Sequence, residues 1–413
     1  MLIEFSIGNY KSFMETMSFS MVAARLTAKD KRLDKHNVFK VGNDLRLLKT
    51  AALYGANASG KSNFIDAIRF MKGFVLSSSK DTQADEQISV EPFRLSTETT
   101  NQPSLFEMVF LLDGRRYRYG FEATSERVVA EWLFHVPTIR EAKLFERRDS
   151  KFEVTNTFRE GKELRDKTRD NALFLSVVAQ FNGAISNKLL QWFRNLGLIF
   201  GLNDDGLRRY TIRRLNEKKH RDEILHLIRR LDVGIDGIQV RKSPLDDLSN
   251  QERIDVLTAH RKFDAQGESM AFEFFDMNNN ESEGTKKVFS MAGPLVQTLT
   301  NGNVLIIDEL DARLHPVITR AIIGLFNSSE TNPRNAQLIF ATHDTNLLSK
   351  DIFRRDQIWF AEKDRFGATH LYSLAEYKVR NDASFESDYI RGKYGAIPFV
   401  GDLSTLLVAS EGE

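Results

Sequence analysis

The sequence predicts an α/β head that carries an antiparallel β-lobe and a helical insertion, and three observations lead to that reading. A glycine-rich loop, GANASGKS from Gly55 to Ser62, stands between the apolar run Ala51-Ala52-Leu53-Tyr54 and the helix-like NFIDAIRFMKGF. On either side of Asp113-Gly114, two segments alternate apolar and polar residues, which is a hairpin pattern. From about Asn171 the apolar spacing changes to that of amphipathic helices.

The opening MLIEFSIGNYKSF alternates like a first strand and has no basic stretch followed by an apolar core, so it does not read as a signal peptide. No run of about 18 apolar residues exists to span a membrane, and a cytoplasmic location is expected. Lys11, just after that strand, is placed either to approach phosphates or to be merely exposed.

The loop Gly55–Ser62 satisfies GxxxxGK[ST] in full. Its glycines let backbone N–H groups close around phosphate oxygens, and the N-terminus of the following helix adds partial positive charge. The expected nucleotide contacts are Gly55, Asn57, Ser59, Gly60, Lys61, Ser62 and Asn63. Lys61 would reach the β and γ phosphates of ATP, and Ser62 would ligate Mg2+.

Strands are expected at Phe106–Phe110 and Tyr117–Phe121, then at Val128–Val136, Ala142–Arg147 and Lys151–Thr157. Leu173, Phe174, Val177, Val178, Phe181 and Ile185, then Leu189, Leu190, Trp192 and Phe193, mark paired helices; Ile224, Leu225, Leu227, Ile228 and Leu231 mark a further apolar helix face. Arg208, Arg209, Arg213, Arg214, Lys218, Lys219 and Arg221 form a basic cluster there, read as a nucleic-acid contact, a docking site for an acidic partner or a solvated face. Strands return at Ile238–Val240 and Ala271–Phe275. The chain is expected to divide into residues 1–160, the first half of the head with the phosphate loop and β-lobe; 161–235, the helical insertion; and 236–413, the second half of the head.

Asn280 to Lys287 opens a helix-like segment expected to end about twenty residues before Asp308. Ser282 as N-cap and Gly284 in the first turn would present free N–H donors to an anion, or form an ordinary capped helix start. The buried-strand pattern Asn303–Ile307 then delivers Asp308 and Glu309 at its C-terminal end. With a phosphate loop in the same chain, this pair points to hydrolysis: Asp308 would hold Mg2+ through water, and Glu309 would orient or deprotonate the attacking water. His315-Pro316 reads as a helix start. His343, in Thr-His-Asp after a β-rich run, could donate to a γ phosphate.

Composition sets wide bounds. At 413 residues, with 41% hydrophobic residues and a mean hydropathy of -0.35, the chain can fold as two or three lobes. The absence of cysteine excludes disulfides, thiolate metal sites and cysteine nucleophiles. A net charge of +1 means that any nucleic-acid surface must be a local patch.

Taken in order, GANASGKS, the Ser-Glu-Gly-Thr helix start, LIIDELDARLHP and LIFATHD resemble the ABC-type ATPase heads of the SMC, RecF and overcoming-lysogenization (OLD) group, and FSIGNYKSF resembles their first strand. The resemblance implies that Ser282 and Gly284 belong to the signature motif, although Glu283 stands where a second glycine is usual. It further implies that Asp311 lies in a dimer-interface loop and that His343 is the switch histidine. ATP would be sandwiched in a homodimer or higher oligomer, with Lys61, Asp308, Glu309 and His343 of one protomer facing Ser282 and Gly284 of the other. YIRGKYGAIPFVGDL, EPFRL and SLFEMVFLLDGRRYRYGF are similar to the single-chain AbiLi or RloA ATPases of phage-defence operons. That implies a separately encoded effector, often a nuclease of TOPRIM type. Gln83, Gln87 and the EPFRL stretch are the candidates for the Q-loop.

Overall fold

The computed structural model describes all residues except 43, 82, 84, 138–139, 201–203, 232–233, 245–251, 380–382 and 399–413; the end of the closing segment, 399–403, lies outside the described residues. The chain opens with β1 (Leu2–Gly8) and β2 (Met17–Ser20), then α1 (Lys31–His36), the hairpin β3 (Val38–Val41) and β4 (Leu45–Leu48), and β5 (Thr50–Tyr54). Helix α2 (Lys61–Ser77) follows the glycine-rich loop and buries Phe64, Ile65, Ile68, Met71 and Val75 at helical spacing. The β-lobe comprises β6 (Ser104–Leu112), β7 (Arg115–Ala123), β8 (Val128–Val136), β9 (Ala142–Arg148) and β10 (Lys151–Val154). The last strand is shorter than expected, because a 3-10 turn begins at Asn156.

Next come α3 (Phe174–Gln180), α4 (Ala184–Asn195), β11 (Gly197–Phe200), α5 (Asp205–Leu215) and α6 (Lys218–Arg230). A three-stranded sheet of β12 (Gly237–Pro244), β13 (Glu252–Phe263) and β14 (Ser269–Asp276) leads into α7 (Glu283–Asn301). That helix does not end about twenty residues before Asp308: it continues through Pro294 and stops at Asn301 with Gly302 in the left-handed region, φ 69°. The chain closes with β15 (Val304–Asp308), α8 (Pro316–Asn327), β16 (Gln337–Ala341), β17 (Ile358–Lys363), β18 (Thr369–Ser373) and α9 (Phe385–Ile390).

Two large sheets organise these elements. The antiparallel one runs β10-β9-β8-β7-β6-β1-β2, and the central one runs β11-β15-β16-β5-β17-β18, parallel except for β18. Strand alternation splits the central sheet between two cores. Leu53, Ile306 and Ile339 face the β-lobe, α2, α3 and α4, whereas Tyr54, Leu305, Ile307 and Phe340 face α5 to α8. The helical span is divided in the same way: α3 and α4 pack in the first core, α5 and α6 in the second, and β11 between them joins the central sheet beside β15.

A candidate nucleotide site

All five residues of β5, β15 and β16 are buried, and these parallel strands bring their C-terminal ends to one edge. Open α/β sheets build ligand sites at that edge, because the loops there leave the strands side by side. The glycine-rich loop leaves β5, Asp308 ends β15, His343 follows β16 and Lys363 ends β17. Asn57 to Asn63, Asp308, Glu309, His343 and Lys363 line a single cavity of about 520 Å3.

Backbone geometry shapes the loop. Gly60 has φ 109°, and a Cβ there would come within 2.3 Å of Thr369 Oγ1, so this position requires glycine on two counts. A Cβ on Gly55 would approach the Ala361 carbonyl to 2.3 Å. Thr369 Oγ1 donates to the Ser59 carbonyl at 2.9 Å and lies 2.8 Å from Ser12 Oγ, which also accepts from Asn63 Nδ2 at 2.8 Å. These contacts brace the loop from the side of β1 and β18. The Asn63 side chain is therefore held by Ser12 while the residue lines the cavity.

The Lys61 ammonium donates to the carbonyls of Gly55 and Ala56 at 2.8 and 2.9 Å. Burial lowers its pKa to about 8 against the pull of Asp308, Asp311 and Glu309, so the site favours an incoming anion that restores the charge. Burial raises the Asp308 carboxyl, with the Ser62 hydroxyl opposing the shift. Asp308 Oδ1 is buried and makes no hydrogen bond. A buried carboxylate oxygen without a partner is costly unless a cation meets it, so Asp308 with the Ser62 hydroxyl fits Mg2+, a hard ion bound through oxygen. Glu309 adopts φ 53°, a left-handed conformation that costs energy for a side chain with Cβ, and it lines the cavity.

His343 is exposed, and its backbone N–H donates to Asp311 Oδ2 at 3.4 Å. Partial desolvation, then the Lys61 charge, lowers the imidazole pKa and favours the neutral ring. Asp311 thus stands behind His343 and does not line the cavity. Gly55 contributes its carbonyl to Lys61.

Ser282 and Gly284 also lie away from the cavity. Ser282 caps α7 by accepting from Thr285 N at 3.1 Å, and the residue is exposed. A Cβ on Gly284 would approach the Arg313 carbonyl to 3.1 Å, so α7 begins against the loop that follows Glu309. Arg313 reaches Glu283 at 3.4 Å and Asp204 at 3.7 Å, and buried Lys287 pairs with Asp204 at 2.7 Å.

Lys11 takes neither expected position: its ammonium pairs with Asp66 of α2 at 2.7 Å. Neither Gln83, Gln87 nor the EPFRL stretch lines the cavity. His315 caps α8 through Nδ1, which accepts from Val317 N at 3.2 Å, with Pro316 in the first turn. Arg208, Arg209 and Arg213 line a separate cleft of about 710 Å3 with Ile212 and Ile254, while Arg214 pairs with Glu217 at 3.3 Å. Lys218, Lys219 and Arg221 sit on the first turn of α6. Thr369 and Lys363 were not anticipated. Thr369 bonds to the loop and Lys363 joins its cavity across some 300 residues of sequence, which leaves no local motif. Among the described residues, no helix is long and apolar enough to cross a membrane.

No curated protein matches the chain. Among solved structures, the SMC head domain from Thermotoga maritima aligns at 14% identity with a TM-score of 0.39, over 90% of this chain and 98% of that one. The Smc head domain with an extended coiled coil bound to the C-terminal domain of ScpA, from Pyrococcus furiosus, aligns at 11% identity with a TM-score of 0.38, over 95% and 98%. The family described as AAA domain, putative AbiEii toxin, Type IV TA system matches residues 51–349, from β5 through the glycine-rich loop and Asp308 to just past His343. The chain belongs to this AAA-type ATPase family.

Proposed function

We propose that the chain hydrolyses ATP with Mg2+ and acts as the sensor or scaffold subunit of an abortive-infection type antiviral complex of AbiLi or RloA kind, controlling a separately encoded effector of nuclease type. One observation carries the enzymatic part: Lys61, Ser62, Asp308, Glu309 and His343 line the same cavity at the carboxyl edge of a parallel sheet. Mg2+, when present, would supply positive charge that offsets the phosphate oxygens. Ser62 and Asp308 would hold it, Lys61 would neutralise the β and γ phosphates, and Glu309 would orient the attacking water and take its proton. His343, kept neutral, would donate to the γ phosphate. The exposed Ser282 and the first turn of α7, set apart from their own cavity, suit a nucleotide held by a second copy. The defence role is supported by the family's description and by the motif resemblance.

Phosphate release by purified protein tests the reading. Lys61→Ala should weaken ATP binding, whereas Glu309→Gln should leave binding intact and lower turnover by something on the order of a hundredfold or more. Full turnover by Glu309→Gln would remove that residue from its role.

A second reading, a DNA-clamping ATPase of repair or recombination type, is favoured by the cleft that Arg208, Arg209 and Arg213 line. It requires nucleic-acid affinity that falls steeply with salt and is lost when these three arginines become Glu. Salt-insensitive or unchanged affinity in that variant would exclude the cleft as the contact.

A further inference from the structure

The turn joining β17 to β18 carries an exposed aromatic ring, Phe366, three residues beyond Lys363 of the phosphate cavity, and none of the hydrolytic roles above uses it. One foot of this turn stands on the glycine-rich loop and the other at the cavity that the loop lines. Lys363 lines the cavity, and its cross-strand partner Thr369 donates to the Ser59 carbonyl. Between them the backbone is pinned. Asp364 N donates to the Ala368 carbonyl at 2.9 Å, and the Asp364 carboxylate accepts from Phe366 N at 2.8 Å and Ala368 N at 2.9 Å. Gly367, with φ 79°, lies so close to Leu95 that a Cβ would come within 2.6 Å of its Cδ1. Phe366 nevertheless exposes 59% of its surface and Leu95 70%, and the Arg365 guanidinium lies over the Phe366 ring at 4.6 Å.

Strand order indicates which end of a nucleotide reaches this turn. Asp308 and Glu309 leave β15 and His343 follows β16, on one side of β5; β17 and β18 lie on the other side. The γ phosphate must sit toward β15 and β16 for Glu309 to act on it. The remainder of the molecule then runs across the end of β5 toward β17, past Asn63 and Lys363, which line the same cavity.

We propose that Phe366, with Arg365 over one face and Leu95 packed on the adjoining Gly367, is the platform on which the nucleobase stacks. The inference rests on the nucleotide reading above and adds the base contact that the phosphate machinery lacks. A purine or pyrimidine presents a π-face to a phenyl ring, and the hydrogen-bonded turn fixes the backbone that carries that ring, which lowers the ordering cost of binding. Stacking without directional hydrogen bonds favours nucleotides over bare polyphosphate and discriminates weakly among bases.

Calorimetric titration of the parent, Phe366→Ala and Phe366→Trp with Mg·ATP and with Mg·tripolyphosphate separates the possibilities. Phe366→Ala should weaken ATP binding about tenfold or more while leaving tripolyphosphate affinity unchanged, and Phe366→Trp should keep parental ATP affinity. Unchanged ATP affinity in Phe366→Ala, or parallel loss of both ligands, would overturn the platform while the phosphate site stood. A parent that bound neither ligand would overturn the nucleotide reading and the platform together.

Discussion

Lys61 concentrates the chemistry of the site, because its buried ammonium donates to carbonyl oxygens and burial outweighs the pull of Asp308, Asp311 and Glu309 on its proton. Its pKa is lowered to about 8, so between about pH 8 and its ordinary value of 10.5 the unfolded chain keeps a proton that the folded protein has released. The stability contribution of this residue therefore rises with pH across that window, and the cost of burying the charge is fully present below about 8. Nucleotide binding has the opposite sign, since triphosphate oxygens favour the ammonium. ATP binding at pH 8.5 should take up a fraction of a proton, and affinity should decline as pH rises further. Titrations in two buffers of different ionisation enthalpy read this directly, and zero uptake would mean that Lys61 is already fully charged in the free protein. Asp308, Glu309 and Lys61 were identifiable from their immediate neighbours in sequence. Thr369, which touches Gly60 and Ser59 from a strand some 300 residues away, was not.

Among the elements, β8 and α3 are joined by one buried carboxylate. Glu131 accepts from Tyr119 Oη at 2.9 Å and from the first N–H groups of α3, Phe174 and Leu175, at 2.6 and 2.9 Å. Burial raises its pKa, and Arg147, itself 1% exposed, opposes the shift. Glu131→Ala should cost about 3 kcal/mol by leaving three donors and a buried guanidinium without it. A denaturation midpoint within error of the parent would show that water or a rearranged α3 satisfies those groups. Strong alternation made β6 to β9 readable, and 3.6-residue spacing made α3 and α4 readable. Strand β11 escaped notice because four residues between helices carry too short a pattern. The length of α7 was misjudged because Pro294 is tolerated within it.

For the assembled molecule the decisive question is whether the start of α7 serves its own cavity or that of a second copy. Ser282 is exposed and does not line the cavity, so Ser282→Arg should leave ATP binding to each protomer intact but abolish hydrolysis and ATP-dependent dimers. Mixing Ser282→Arg with Lys61→Ala should restore part of the activity, because in the proposed sandwich Lys61 of the first chain would meet Ser282 of the second in one intact composite site. Parental ATPase activity in Ser282→Arg alone would reduce this helix start to an ordinary capped one.

The sequence by itself determined the local chemistry: the glycine-rich loop, the carboxylate pair after an apolar strand, the β-lobe hairpins and the helix capped by His315 before Pro316 are each written in a few adjacent residues. Strand order, by contrast, belongs to tertiary structure, because pairing between β11, β15, β16, β5 and β17 depends on contacts across tens to hundreds of residues rather than on any local pattern. That order brought Lys363 to the cavity, and the packing of the segment after β1 against α2 set Lys11 on Asp66. It also divided the helices between the two faces of the central sheet, since a continuous apolar run makes both faces of a buried parallel strand apolar and only the fold decides what covers each.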